Sequence, residues 1–420
     1  MGRHTKEDSS LSTSSSNSSL SYSTSNRNAT TDPENLSISS NSNNLSNDHS
    51  LKITFKTELI FLLFGTTVLY SYNTYINSID YFQLLFPDDD SIATNIARVF
   101  NIANSMTFFL SVTFVEQFTI KARYYTSIIM ECIVALFFFI YPNVSSPNII
   151  VIYVFEAISA IFTGILFGTT MGFAGLFGGN CSTMAASGLA LSGVTTAICR
   201  VLSKLMGKGE GWFYFGITFI VYACSFVAFI FFEKTDLAQE KIRNSKTSNN
   251  FCYRMKRFGK VMQKIWIFFV EAFLCMTITL TLFPGYATQT ISKHGLSSDW
   301  VTTIITSMFM AGDFIGRLLT RWVTFPKPKY LFIPHFCRLL FFVLFCISIE
   351  GVAVQDDIWI YFMTFFLALT SGYYVTLCLS YTATSEKLDS EEVELGSFLA
   401  SLGLNLGVFA GSWLTYAMPK

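Results

Sequence analysis

Asp313 and Arg317 stand four residues apart, with Phe314, Ile315 and Gly316 between them, inside a stretch that is otherwise apolar. If that stretch is helical, the carboxylate and the guanidinium share one face. Such a pair can pin two helices together or line a path for a polar solute, and spacing alone leaves both readings open. Gly316 between them allows a neighbouring helix or a ligand to come close. Glu131, Glu156 and Glu271 are further acids in apolar runs, and Arg338 is a cation in another. Each fits a buried structural pair, Glu131 with Arg338 for example, or a group that carries a proton. Enzyme chemistry has no comparable signal. The chain lacks a P-loop GxxxxGK[ST], an HExxH and a GxSxG. It has four histidines and no CxxC, so no metal or cofactor is expected. Eight of the nine cysteines lie in apolar runs and read as small buried hydrophobes.

The elements that must position these groups follow from composition. Of 420 residues, 51% are hydrophobic and 13% charged, against about 25% charged in soluble domains. Lys+Arg and Asp+Glu are 28 each, which argues against a nucleic-acid partner. Residues 1–50 are roughly half Ser and Asn and cannot bury enough apolar surface to order, so residues 1–55 are expected to be a disordered tail. From Lys56 onward apolar stretches of spanning length repeat. We read eleven: 58–78, 95–117, 122–141, 148–172, 178–203, 212–232, 265–291, 300–323, 330–350, 358–383 and 394–417. This predicts an all-α polytopic membrane protein in contact with the lipid bilayer. Residues 56–232 form a first bundle of six helices and 265–420 a second of five.

Orientation is set by Lys and Arg. The connecting segment 233–264 carries nine, and Lys121, Arg123, Arg321, Lys327 and Lys329 fall on the same side if the spans alternate. That side also holds the N-terminus, which is expected to be cytoplasmic, and the C-terminus is then extracellular. Opposite loops are acidic, at Asp88–Asp90 and Asp356-Asp357. Gly164, Gly168 and Gly172, four residues apart, form a helix-packing face. Pro284, expected in the middle of the seventh span, predicts a kink there.

Taken in order along the chain, these fragments resemble the equilibrative nucleoside transporter family. The most specific element is Asp313-Phe-Ile-Gly-Arg317, preceded by Phe283-Pro284. Leu69 to Ile76 resembles the family's first span, and Gly168-Thr-Thr-Met-Gly-Phe-Ala-Gly175 its fourth. Ser371-Gly372-Tyr373, Gly396 and Leu402-Gly-Leu-Asn-Leu-Gly407 resemble its last two. The resemblance covers nearly all of residues 56–420. It implies a major-facilitator-like bundle of six plus five helices with a central cavity and alternating access. Asp313 and Arg317 would line that cavity near the sugar hydroxyls. Tyr72, where the family usually has Trp, would stack on a base, and Ile76 would face the same space. Phe167 stands where a base-bonding Gln is common, Met310 where an Asn is frequent, and Ser71 where a Pro is usual. Losing those amides removes donors and acceptors, so nucleoside, purine nucleobase and other organic solutes all stay open as substrates. A facilitative carrier, a proton-coupled carrier of the same fold and a non-transporting membrane protein stay open as functions. The resemblance implies a monomer in the plasma membrane, with an intracellular membrane as the alternative.

Overall fold

Backbone that crosses hydrocarbon must pair its own N–H and C=O groups, and the apolar runs do so as helices. A computed structural model describes residues 53–86, 92–114, 117–141, 147–206, 209–244, 251–284, 286–287, 294–295, 298–349 and 356–418. The Ser/Asn tail, Asp88–Asp90, Gly285 and Lys420 lie outside the described residues. Fifteen α-helices are described. The first eight are α1 (Phe55–Val68), α2 (Tyr70–Asn77), α3 (Ile79–Leu85), α4 (Ile92–Phe114), α5 (Ile120–Ile140), α6 (Ile149–Leu176), α7 (Gly179–Met206) and α8 (Glu210–Phe232). After α9 (Asp236–Asn244) come α10 (Phe251–Leu282), α11 (Ser298–Leu319), α12 (Phe332–Arg338), α13 (Leu340–Ile349), α14 (Asp357–Ala383) and α15 (Val393–Leu414).

Among the described residues, eight elements are long and apolar enough to cross a membrane, or nine if the bent pair α1–α2 counts as one span. The helices α4 and α11, of 23 and 22 residues, fall short of that standard. Their polar residues lower their hydropathy; in α11 these include Asp313 and Arg317. The expected total of eleven is therefore not established by length and composition.

Several boundaries differ from expectation for local reasons. The seventh run ends at Leu282 rather than kinking, because the residue before a proline resists helical geometry and Pro284 offers no N–H. The ninth divides into a 3-10 turn at Pro328–Tyr330, then α12 and α13. The segment 233–264 is largely helical, made of α9 and the first turns of α10. The break between α6 and α7 falls at Phe177-Gly178, where Gly178 has φ +92°, a left-handed conformation that only glycine adopts without strain. The first run bends by 46° at Leu69.

In lipid, close packing rather than water exclusion holds helices together, and glycine sets the contacts. A β-carbon at Gly65 would lie 1.9 Å from the Ala185 carbonyl oxygen, and one at Gly188 2.3 Å from that of Leu62, so α1 and α7 cross backbone to backbone. Gly403 and Gly407 admit the carbonyls of Phe269 and Phe273 in the same way, joining α15 to α10. The predicted face on α6 divides between two neighbours: Gly168 faces the Phe398 ring and Gly172 faces Glu394, both on α15, whereas Gly164 lies against Asn104 of α4. Inside the first bundle, Phe61, Phe64, Tyr124, Phe229 and Phe232 interlock, with Tyr124 and Phe229 stacked at 3.9 Å.

Candidate functional site

Helix α11 carries the Asp313–Arg317 pair as its spacing predicts. Arg317 Nε donates to Asp313 Oδ2 at 2.9 Å, and the residues are 5% and 9% exposed. What brings α14 against them is the absence of a side chain at Gly372. A β-carbon there would lie 2.4 Å from the Asp313 carbonyl oxygen and 2.8 Å from its Oδ1. Gly316 gives reciprocal room to the Leu369 carbonyl. Arg317 Nη1 is buried and, among the described residues, has no hydrogen-bond partner. A guanidinium with a spare donor beside a carboxylate can donate to a hydroxyl or carbonyl while the carboxylate accepts.

The other candidate residues lie on α2, α6 and α11. Met310, one turn before Asp313, lies against Gly193 of α7, where a β-carbon would meet its sulfur at 2.6 Å and Asn73 Oδ1 at 3.7 Å. Asn73 Nδ2 donates to Ser192 Oγ at 2.7 Å, and Asn77 Nδ2 to Thr196 Oγ1 at 3.1 Å, so α2 is stitched to α7. Tyr72 is half-buried with its ring 4.9 Å from Phe100. Ile76 packs on the same aromatic cluster, which includes Tyr75, Phe138 and Phe215. Phe167 sits elsewhere: it is 2% exposed and edge-on to Phe108, which stacks on Phe398 of α15. Thus Met310 joins the Asn73 face of α2, whereas Phe167 belongs to the α4–α6–α15 contact.

The suggested Glu131–Arg338 pair does not form. Arg338 directs its Nη donors into the second bundle, to Thr279 Oγ1 at 2.6 Å and to Cys275 Sγ and carbonyl oxygen at 2.5 and 3.2 Å. Glu131, in the first bundle, accepts from Ser71, Ser159 and Thr163 hydroxyls at 2.7, 2.9 and 2.8 Å. Glu271 pairs with His335 Nδ1 at 2.8 Å, and the two face a cavity of about 480 Å³ between α10, α12, α13 and α15. Both Glu156 oxygens are buried without a hydrogen-bond partner among the described residues.

Two ion pairs that the sequence did not disclose tie the halves together at the end nearest α9. Arg123, at the start of α5, pairs with Glu394, at the start of α15. Glu58 of α1 pairs with Arg321, just past α11, at 2.5 Å and also accepts from Asn180 at 3.4 Å. The basic members were visible in sequence as topology signals. Their acidic partners sit at the starts of distant spans, and no spacing rule links them. A cavity of about 270 Å³ lies beside the first latch, lined by Thr107, Arg123, Thr169 and Phe398 among others.

Comparison with known proteins bears on the family and the fold. A family described as "Nucleoside transporter" matches residues 237–419. Equilibrative nucleotide transporter 8 of Arabidopsis thaliana is 22% identical over 377 residues, covering 85% of this chain and 94% of that protein. Nucleoside transporter 2 of Leishmania donovani is 32% identical over 164 residues, 38% of this chain and 31% of that protein. Among solved structures, the proton:xylose symporter XylE of the major facilitator superfamily superposes with a TM-score of 0.63 at 11% identity, covering 86% of this chain and 87% of that one. A bacterial homologue of ferroportin in an outward-facing state gives 0.58 at 11% identity, over 86% and 91%. The fold is thus the one these solved transporters share, and residues 237–419 match the nucleoside transporter family, with similarity to equilibrative transporters running over most of the chain.

Proposed function

We propose that this protein moves nucleosides, purine nucleobases or both across a membrane by alternating access, in the facilitative mode. The observation that carries the reading is the buried Asp313–Arg317 pair, whose Arg317 Nη1 donor has no partner among the described residues. Vicinal sugar hydroxyls both donate and accept, and a carboxylate beside a guanidinium answers both. Tyr72 supplies an aromatic face for the base. Met310 brings no amide beside the Asn73 face of α2, and Phe167 is packed away against Phe108, so the sugar carries more of the recognition. The latches Arg123–Glu394 and Glu58–Arg321 close one end of the bundle, and opening them exposes the site to that side. Positive charge around that end makes it the cytoplasmic one, which gives an outward-facing or occluded state, a cytoplasmic N-terminus and an extracellular C-terminus. Eleven crossings, a plasma-membrane location and a monomer complete the reading.

The test is uptake of labelled adenosine, inosine, uridine and hypoxanthine into proteoliposomes, with and without an inward proton gradient. Saturable uptake that ignores the gradient and is lost in Asp313→Ala and Arg317→Ala is expected. Normal uptake by both variants would remove the pair from the pathway. Failure of the wild-type chain to take up any of the four would overturn the substrate assignment.

A further inference from the structure

The bend in the first span is made by side chains, and they come from three other helices. At Ser71, two residues past the bend, the backbone N–H donates to the Tyr222 hydroxyl of α8 at 3.1 Å. A proline there would interrupt the helix by having no N–H; serine keeps its N–H and gives it to another helix. The Ser71 hydroxyl also contacts the Tyr222 hydroxyl and donates to Glu131 Oε2 at 2.7 Å. Glu131, 0% exposed on α5, is fixed in turn by Ser159 and Thr163 of α6. One and two turns before Tyr222 on α8, Thr218 bonds with Thr74 Oγ1 at 3.1 Å and Tyr214 donates to the Thr74 carbonyl at 3.2 Å. Residues 214, 218 and 222 therefore form one face of α8 that grips α2 over its length, while Glu131 holds its first turn. Tyr72 is the next residue after Ser71, so its ring direction is set by this clamp.

We infer that Glu131 and Tyr222 are positioning residues that hold the α1–α2 bend and thereby aim Tyr72 at the transported solute. Neither touches the solute; both act through Ser71. The inference rests on Tyr72 being a wall of the nucleoside cavity. A buried hydroxyl removed from such a network leaves its partners unsatisfied, and the backbone at Ser71 is then free to straighten.

Two readouts test it on the full-length chain in proteoliposomes. Tyr222→Phe keeps the ring and loses the hydroxyl; it is expected to raise the KM for adenosine by about tenfold at unchanged Vmax per molecule. Glu131→Gln keeps an accepting oxygen on one side and on the other an amide N–H that a hydroxyl oxygen can accept, and is expected to stay within about threefold of wild type. Glu131→Ala should behave as Tyr222→Phe or worse. The second readout needs no transport. In Tyr72→Cys, the rate of modification of position 72 by a membrane-impermeant methanethiosulfonate is followed by peptide mass spectrometry. Adding Tyr222→Phe is expected to change that rate by about tenfold. An unchanged rate, or a fall in Vmax at constant KM, overturns the inference. A wild-type chain that takes up no nucleoside overturns the proposed function instead, and the modification rate still decides whether the clamp sets position 72.

Discussion

Replacing Glu394 by Gln should loosen the end of the bundle that carries α9. The carboxylate meets Arg123 across the two halves, and their side chains are 13% and 8% exposed. A charge-assisted hydrogen bond at such burial contributes roughly 1.5–3 kcal/mol. Arg123 keeps other acceptors, the Phe118 carbonyl at 3.2 Å and Thr169 Oγ1 at 3.5 Å, so its charge is not stranded and the lower end applies. A loss near 1.5 kcal/mol multiplies the open-to-closed ratio by about 12. The Glu58–Arg321 pair remains, so the halves are not freed altogether. Ser397 reports the change: it is 3% exposed on α15 and packs against Gly175 of α6, directly between the halves. In Ser397→Cys, alkylation from the α9 side should speed up by about tenfold when Glu394→Gln is added. The exchanged pair Arg123→Glu with Glu394→Arg should restore much of the slow rate. An alkylation rate unchanged by Glu394→Gln would refute the assignment of this pair as a latch.

Three further outcomes follow from single contacts. Gly372→Val places carbon within 2.4 Å of the Asp313 carbonyl oxygen and must push α14 from α11; a loss of about 1–3 kcal/mol in detergent, with uptake abolished, is expected, and an unshifted melting temperature would contradict the packing. Phe167→Gln should change the ranking of purine over pyrimidine nucleosides in competition uptake; an unchanged ranking would leave Phe167 as packing between Phe108 and its neighbours alone. Asp356 caps α14 by accepting from the Ile358 N–H at 3.1 Å, and that bond, with His294 beside it, holds its carboxyl below the usual value. A depressed carboxyl stabilises the fold above its unfolded pKa of about 3.9 and loses that contribution as pH falls through the lower, folded one. The protection of amides in the first turn of α14, their exchange rate set against the intrinsic rate at the same pH, should therefore fall between pH 5 and strongly acidic buffer, roughly below pH 3, and Asp356→Asn should remove that pH dependence.

Much of this protein is set by local sequence. Length and apolarity of a run are enough to make a helix in hydrocarbon, because no other backbone conformation pairs its own polar groups there. The i, i+4 spacing alone puts Asp313 and Arg317 on one face, and the Phe177-Gly178 turn alone separates α6 from α7. Pro284 stops α10 through its own geometry, although whether a proline kinks or ends a helix depends on what the neighbours offer the freed carbonyls. Tertiary structure decided which charges meet. Glu131 found three hydroxyls instead of Arg338, Arg338 found Thr279 and Cys275, and Glu271 found His335. Such choices depend on the rotation and depth of helices far apart in the chain, which no sequence period encodes. Fold alone could place Arg123 against Glu394 and Arg321 against Glu58, since each pair joins residues more than 250 positions apart. The bend at Leu69 belongs to both levels: the chain supplies Ser71, and only the packing of α5, α6 and α8 around it supplies the partners that hold it.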